Sequence, residues 1–458
     1  MGRRRILGAL LSAVMVTGLV TIEVASSAAA TTSLAGTLRV TAHVRRDGTT
    51  KILYTLETAT GVKTLKLPGV PPETMKTRKA VKKALKTNPD RLVQVTARAR
   101  KDGTFAVLSV TPLQTPPPLS EPPPLTAQNK NIAFVIVHWS QLGWNGVLNE
   151  ADVRSWALTD PNSLAAYYRA TTNNVVRVSG TVMTVTLPGG PDAGQTCVPW
   201  EAVVKRTQEN APLMARLAPY SNVMFLPQHT GTAACSVIGI GNVSGRYSAL
   251  SGAWTKDLGK FVHVASHEFG HNLGLLHAGV VRCAGIVPTD ACLSDDVDNY
   301  GDPYDTMGNR YPPAHFSSTH KQKLKTLAPT AIATATPGTS KYWLYASDAP
   351  GAAGPRLLVV PRGATGQLYN LEVRSANTQF GVGSGSAAVG GVSIRLSDAD
   401  GTTVTSNDDT VLIDMEPTTP SGWDAPLMPG RTYADPANGV RISVDFVANP
   451  WAVVTVTR

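Results

Sequence analysis

His267-Glu268-Phe269-Gly270-His271-Asn272-Leu273-Gly274-Leu275-Leu276-His277 reads H-E-x-x-H-x-x-G-x-x-H, and the organisation of the chain is best read outward from it. His267 and His271 lie one helical turn apart, so both imidazoles leave the same helix face and can grip one metal ion. Glu268 stands beside the first of them, where its carboxylate reaches an activated water without occupying the metal. Gly274 tolerates positive φ and can end the helix abruptly. The chain then turns back and His277 supplies a third nitrogen. Three nitrogen ligands leave one tetrahedral position open, the arrangement of a catalytic zinc site and not of a closed structural one.

Downstream stands Tyr300-Gly301-Asp302-Pro303-Tyr304-Asp305-Thr306-Met307-Gly308-Asn309. The histidine pattern is the zinc signature of metzincins, and Met307-Gly308 resembles the tight methionine turn that those enzymes place beneath the metal. The fuller form, H-E-x-G-H-N-L-G-L-x-H-A-G followed by Y-G-D-P-Y-D-T-M-G, resembles the gametolysin (autolysin) family of secreted metallopeptidases. The resemblance is dense from Val262 to Asn309. It implies an α+β fold class, a metzincin-type zinc protease domain, and extracellular matrix or cell-wall proteins as substrates. Asn309 stands two residues after Met307, where some metzincins carry a tyrosine, so no tyrosinate ligand is expected there.

A chain of 458 residues exceeds one ordinary core and predicts about three domains. Its net charge of +10 is unevenly placed. Residues 31–113 hold 16 basic and 5 acidic side chains, whereas residues 114–458 hold 23 and 26. The basic character thus belongs to one N-terminal module, and no nucleic-acid partner is expected for the whole protein.

Arg3-Arg4-Arg5, the apolar run from Ile6 to Val20, and Ala28-Ala29-Ala30 have the three parts of a signal peptide over residues 1–30. A membrane anchor is the alternative; the run is short for a span, and Glu23 follows closely. A twin-arginine export route also suits the arginines. The reading is a secreted, extracellular protein, monomeric and free of the membrane once residues 1–30 are removed. The four cysteines, Cys197, Cys235, Cys283 and Cys292, suit two disulfides in an exported chain. Three pairings are possible. Cys283–Cys292, closing a short loop after His277, together with Cys197–Cys235 is favoured over the others; free buried thiols are the alternative.

Residues 31–113 alternate apolar and polar side chains in five short runs, with a basic, helically spaced segment (Glu73–Thr87) between the third and fourth. That order suits a small β-barrel-like module of the OB type. It could act as a prosegment covering the cleft, bind an anionic wall polymer, or be a solvated basic surface. Residues 114–126 (QTPPPLSEPPPLT) form a stiff linker and a plausible cleavage site.

The catalytic domain is expected over residues 127–329. Asn131–Trp139 reads as an interior strand, Asn149–Leu158 and Ser163–Ala170 as helices, and Val175–Leu187 as a strand or hairpin. Trp200–Leu217 reads as one amphipathic helix, Asn222–Pro227 as a buried strand and Gly245–Gly252 as the edge strand. The active-site helix should run over Leu258–Gly274, and Thr319–Leu327 should form a closing helix. The acidic run Asp295, Asp296, Asp298, Asp302 and Asp305 raises a Ca2+ site as a possibility, although it fails the EF-hand template. Turn hydrogen bonding is the simpler role for Asp302 and Asp305.

Residues 330–458 turn to Gly, Ser, Thr and Val, with seven short alternating runs that predict a β-sandwich domain. Leu368–Arg374, Leu412–Pro417 and Leu427–Thr432 resemble the C-terminal β region of gametolysin-like peptidases. No aromatic platform stands out in this region.

The function expected is secreted zinc endopeptidase, with one Zn2+ on His267, His271 and His277, Glu268 as general base, and a protein or peptide as substrate. A non-enzymatic wall-binding adhesin with a vestigial zinc domain is the alternative. Hydrolysis of a non-peptide amide would share the same chemistry.

Overall fold

The structure is a computed structural model describing residues 31–44, 50–58, 61–66, 92–112, 125–142, 148–190, 198–227, 237–252, 254–308, 311–349, 354–376, 379–399, 404–405, 407–419 and 421–458. The expected signal peptide, the basic helix at Glu73–Thr87, nearly all of the proline-rich linker, the Cys197–Cys235 pair and Asn309 lie outside the described residues.

Strands β1 (Thr31–Val44), β2 (Thr50–Thr58), β3 (Gly61–Lys66), β4 (Leu92–Ala99) and β5 (Phe105–Pro112) close into a barrel of order β1-β2-β3-β5-β4. Its β3–β5 pair is parallel and the others are antiparallel. Alternation puts Leu38, Leu56, Leu65, Val93, Val95 and Val107 inside.

The next unit is a mostly parallel sheet. It contains β6 (Gln128–Trp139), β7 (Val176–Leu187), β8 (Asn222–Pro227), β9 (Gly239–Gly241) and β10 (Tyr247–Leu250), in the order β7-β6-β8-β10-β9. The apolar run of β6 is central and covered on both faces, as its lack of alternation requires. Ile132, Phe134 and Ile136 point to one core, and Ala133, Val135 and Val137 to another. Helices α1 (Glu150–Arg154, continuing as a π turn over Ser155–Thr159) and α2 (Leu164–Thr171) cover the first face. Helices α3 (Trp200–Gln208) and α4 (Ala211–Leu217) cover the second.

Two expectations are corrected here. Trp200–Leu217 is two helices, because the Asn210 side chain caps a new one by accepting from Leu213 N, and Pro212 suits only a first turn. The edge strand is β9, antiparallel to β10, whereas β10 lies inside the sheet.

Helix α5 (Leu258–Asn272) carries the histidine motif, and β11 (His277–Val281) follows it. After α6 (Asp290–Asp295), β12 (Val297–Asp298) and α7 (Ser318–Lys323), the chain is almost all strand. α7 is shorter than expected, with Lys325 at φ 57° turning the chain away. The remaining strands are β13 (Ile332–Thr334), β14 (Thr339–Tyr345), β15 (Leu357–Pro361), β16 (Gln367–Glu372), β17 (Ser393–Asp398), β18 (Asp408–Ile413), β19 (Thr432–Asp435), β20 (Val440–Ala448) and β21 (Trp451–Thr457).

A seven-stranded sheet of order β12-β11-β18-β17-β16-β15-β13 and a four-stranded sheet of order β14-β21-β20-β19 share one apolar core. The larger sheet crosses the expected 329/330 boundary, because β11 pairs in parallel with β18. The disulfide Cys283–Cys292 sits beside that core.

On the outer face of the smaller sheet, Trp343, Phe446 and Trp451 cluster with ring centroids 5.1–6.2 Å apart. Phe446 and Trp451 are buried, so these rings, drawn from three strands, form a packed cluster and no open platform. Ala35 of β1 packs into the same cluster, and Gln94 Nε2 donates to the Asp445 carbonyl at 3.3 Å. Among the described residues, no helix is long and apolar enough to cross a membrane.

Candidate metal centre

Helix α5 starts where Asp257 accepts from Lys260 N at 2.9 Å and ends in a Schellman turn. Leu275 N donates to Gly270 O at 3.0 Å and Gly274 N to His271 O at 2.8 Å, with Gly274 at φ 100°. That turn swings the chain back so that His277 faces the helix. Potential ligand atoms of His267, His271 and His277 all lie within 4.8 Å of one another, and this is the one such group among the described residues.

Two ligands are held through their rings and the third through its backbone. His267 Nδ1 donates to Thr306 O at 2.9 Å, and His271 Nδ1 donates to Leu275 O at 2.8 Å. Carbonyls only accept, so both protons sit on Nδ1 and both Nε2 lone pairs stay free for a metal. His277 is placed through its backbone, by His277 N donating to Asn407 O at 3.0 Å and Leu276 N donating to Asp409 Oδ2 at 2.7 Å. Burial lowers the pKa of His267 and His271, and lowers that of His277 to about 4, so all three are neutral as ligation requires. The donor set therefore fits a zinc ion.

Glu268 is buried, and burial pushes its carboxyl up to about 8. Its side chain lies against the glycines of β9. A Cβ on Gly239 would stand 2.4 Å from Glu268 Oε1, and one on Gly241 would stand 2.6 Å from Glu268 O. The Ile238-Gly239-Ile240-Gly241 alternation was the available sequence signal for this wall. Asn272 ties helix and wall together, its Nδ2 donating to Asn242 O at 3.0 Å and Tyr247 O at 2.9 Å.

The methionine turn forms the floor. A Cβ on Gly270 would meet Met307 Sδ at 2.4 Å, so the glycine between Glu268 and His271 lets the turn approach. Asp302 Oδ1 accepts from Tyr304 N and Asp305 Oδ1 from Met307 N, both at 2.8 Å. Asp302 also pairs with Arg395 Nε at 2.7 Å. Asp305 Oδ2 accepts from Ser317 N at 2.7 Å and from His320 Nδ1 at 2.8 Å.

Burial works against the charge on Asp305, but His320 and these donors hold its carboxyl well below the usual range. Burial likewise opposes a charged His320, yet Asp305 and Asp409 raise its pKa above the ordinary value. Nothing local in the sequence announces the two carboxylate neighbours of His320, Asp305 and Asp409. The acidic run from Asp295 to Asp305 supplies no group of three converging carboxylates among the described residues. The Tyr300 ring lies tilted against His277 with centroids 4.0 Å apart and near-parallel to His267 at 5.9 Å, a neighbour to which the sequence assigns no role.

Residues 131–284 match the family described as Gametolysin peptidase M11, a span holding all three histidines and Glu268 and stopping before the methionine turn. The gametolysin resemblance is thus shown over this span, and the chain carries a peptidase-family region. No curated protein matches the chain. Among solved structures, archaemetzincin from Methanopyrus kandleri is similar, with 14% identity over 43% of this chain and 94% of its own, at a TM-score of 0.26.

Proposed function

We propose that the chain is a secreted, zinc-dependent endopeptidase of metzincin type, acting on extracellular or cell-wall proteins. The observation that carries this is the convergence of His267, His271 and His277, each neutral, with a buried carboxylate beside them. Zinc bound there supplies Lewis acidity, polarising a carbonyl oxygen and lowering the pKa of water from about 15.7 towards about 7. Glu268 takes the proton of the attacking water and returns it to the leaving amine nitrogen. Its raised pKa suits a group that must hold that proton between the two steps; the positive charge of the ion opposes the shift. The backbone of β9, bare of side chains at Gly239 and Gly241, lets α5 approach closely and so holds the Glu268 side chain in place. Export rests on the composition of residues 1–30.

Glu268→Gln is expected to keep stoichiometric zinc while kcat falls by about 10²–10⁴-fold on casein. Substantial remaining proteolysis would reject Glu268 as the base. The competing reading is a non-enzymatic wall-binding adhesin; the ring cluster of Trp343, Phe446 and Trp451 is packed with Ala35 and offers it no open surface. Casein zymography with and without a chelator separates the two, since a pure adhesin clears no substrate under either condition.

A further inference from the structure

The third ligand comes from outside helix α5, and the residues that fix it come from the far end of the chain. β11 and β18 run parallel, with His277 opposite Asp408 and Ala278 opposite Thr410. Asp409 is therefore the extra residue of a bulge, which in a parallel pair is rare. Bulges re-aim side chains. Here the Asp409 carboxylate, 4% exposed, accepts from Leu276 N at 2.7 Å across a separation of 133 residues. Its other oxygen takes the Lys323 ammonium of α7. His320 Nε2 lies 3.7 Å from it, an ion-pair distance, and the opposite nitrogen of that ring donates to Asp305. A path of hydrogen bonds and one ion-pair contact, from His320 Nε2 to Asp409 Oδ2, thus joins the peptide before His277 to Asp305, which holds Met307 N. The two parts of the site that do not belong to α5, the third ligand and the methionine turn, are fastened to one another through Asp409 and His320.

We infer that Asp409 is a positioning residue for the metal centre. By anchoring Leu276 N it fixes where His277 presents its ring, and through His320 it sets that position relative to the floor. This rests on the ligand set proposed above. It also makes β18, more than a hundred residues past the histidine motif, part of the metal site. A carboxylate suits the role because two donors of different kinds, an amide and an ammonium, must be satisfied at once in a buried place. Asparagine offers a single oxygen and can serve only one of them.

The test uses the full chain with zinc alone, by chelator competition, and with cobalt(II), whose visible absorption reports ligand geometry. Asp409→Ala is expected to weaken zinc binding by about 10–100-fold and to shift the cobalt spectrum. Asp409→Asn should fall at the lower end of that range, and it decides the matter if the alanine variant does not fold. The control is Asp435→Asn, in the other sheet, where Asp435 is buried against Arg362 and Tyr369. It should lower Tm while leaving zinc affinity and cobalt spectrum as in wild type. Asp409 variants with wild-type affinity and spectrum would overturn the inference alone. So would an Asp435→Asn chain that loses zinc as readily as Asp409→Asn, since general loosening would then suffice. A wild-type chain that binds no zinc overturns the peptidase reading and this inference together.

Discussion

The helix side and the floor side of the metal centre are built on opposite plans. On the helix side, two ligands, the base and the terminating glycine fall within eight residues of α5 and its Schellman turn. On the floor side, the turn holding Asp305 and Met307, His320 of α7 and Asp409 of β18 come from three places in the chain and meet through buried polar contacts. Local spacing is enough to aim two imidazoles from one rigid cylinder. Holding a third at the right place takes long-range partners, and those partners are charged. The helix side should therefore tolerate loss of its local devices, whereas the floor should fail as a unit.

The largest expected effect is on the floor. Asp305→Ala removes the carboxylate that accepts from Met307 N, Ser317 N and His320, leaving those donors buried and unpaired. It should cost about 3–5 kcal/mol in urea unfolding. A loss below 1 kcal/mol would erase the contrast between the two sides.

The same pair predicts a pH signature in the metal-free protein. The folded pKa of His320 is raised, so its contribution is complete below the unfolded value of about 6.5 and is lost as pH rises through the folded value. The folded pKa of Asp305 is depressed, so its contribution is present above about 3.9 and is lost only as pH falls through the lower folded value. The stability gap between wild type and His320→Gln should therefore be widest between these limits and narrow as pH rises above about 6.5. A gap independent of pH would mean that folding leaves the pKa of His320 unshifted.

Gly270→Ala sharpens the comparison where the two sides touch. Its Cβ would stand 2.4 Å from Met307 Sδ, and such overpacking costs about 1–3 kcal/mol, read as a lower Tm. The thioether can move, so the cost should stay below that of the Asp305 variant. The smallest effect is expected on the helix side. Asp257→Ala deletes the cap of α5 and should cost about 1 kcal/mol with no change in zinc affinity. A marked loss of zinc there would show that the helix start, far from the ligands, is also part of their support.

What could be read in advance divides along the same line. The strand at Asn131–Trp139, the active-site helix and the glycine that ends it were legible because period and spacing are local properties. Met307 was legible only through the gametolysin resemblance, since a lone methionine carries no signal of its own. Apolar spacing runs straight through the break at Asn210, and only the local cap signal Asn210-Ala211-Pro212 marks it. Asp409 and His320 were illegible in a stronger sense. Their partners lie 133 and 15 residues away, and no periodicity relates a bulge in one strand to the amide it will meet. The pairing of β11 with β18 belongs to the same class, and it removes any clean cut between a zinc unit and a C-terminal appendage.

The barrel rests on β20, where Ala35 covers part of the Trp343, Phe446 and Trp451 cluster. Ala35 and Gln94 are barrel side chains at that seam, so loss of the barrel would be felt there. Departure of the barrel would expose indole and phenyl rings that it now shelters, turning a sealed seam into a sticky flank.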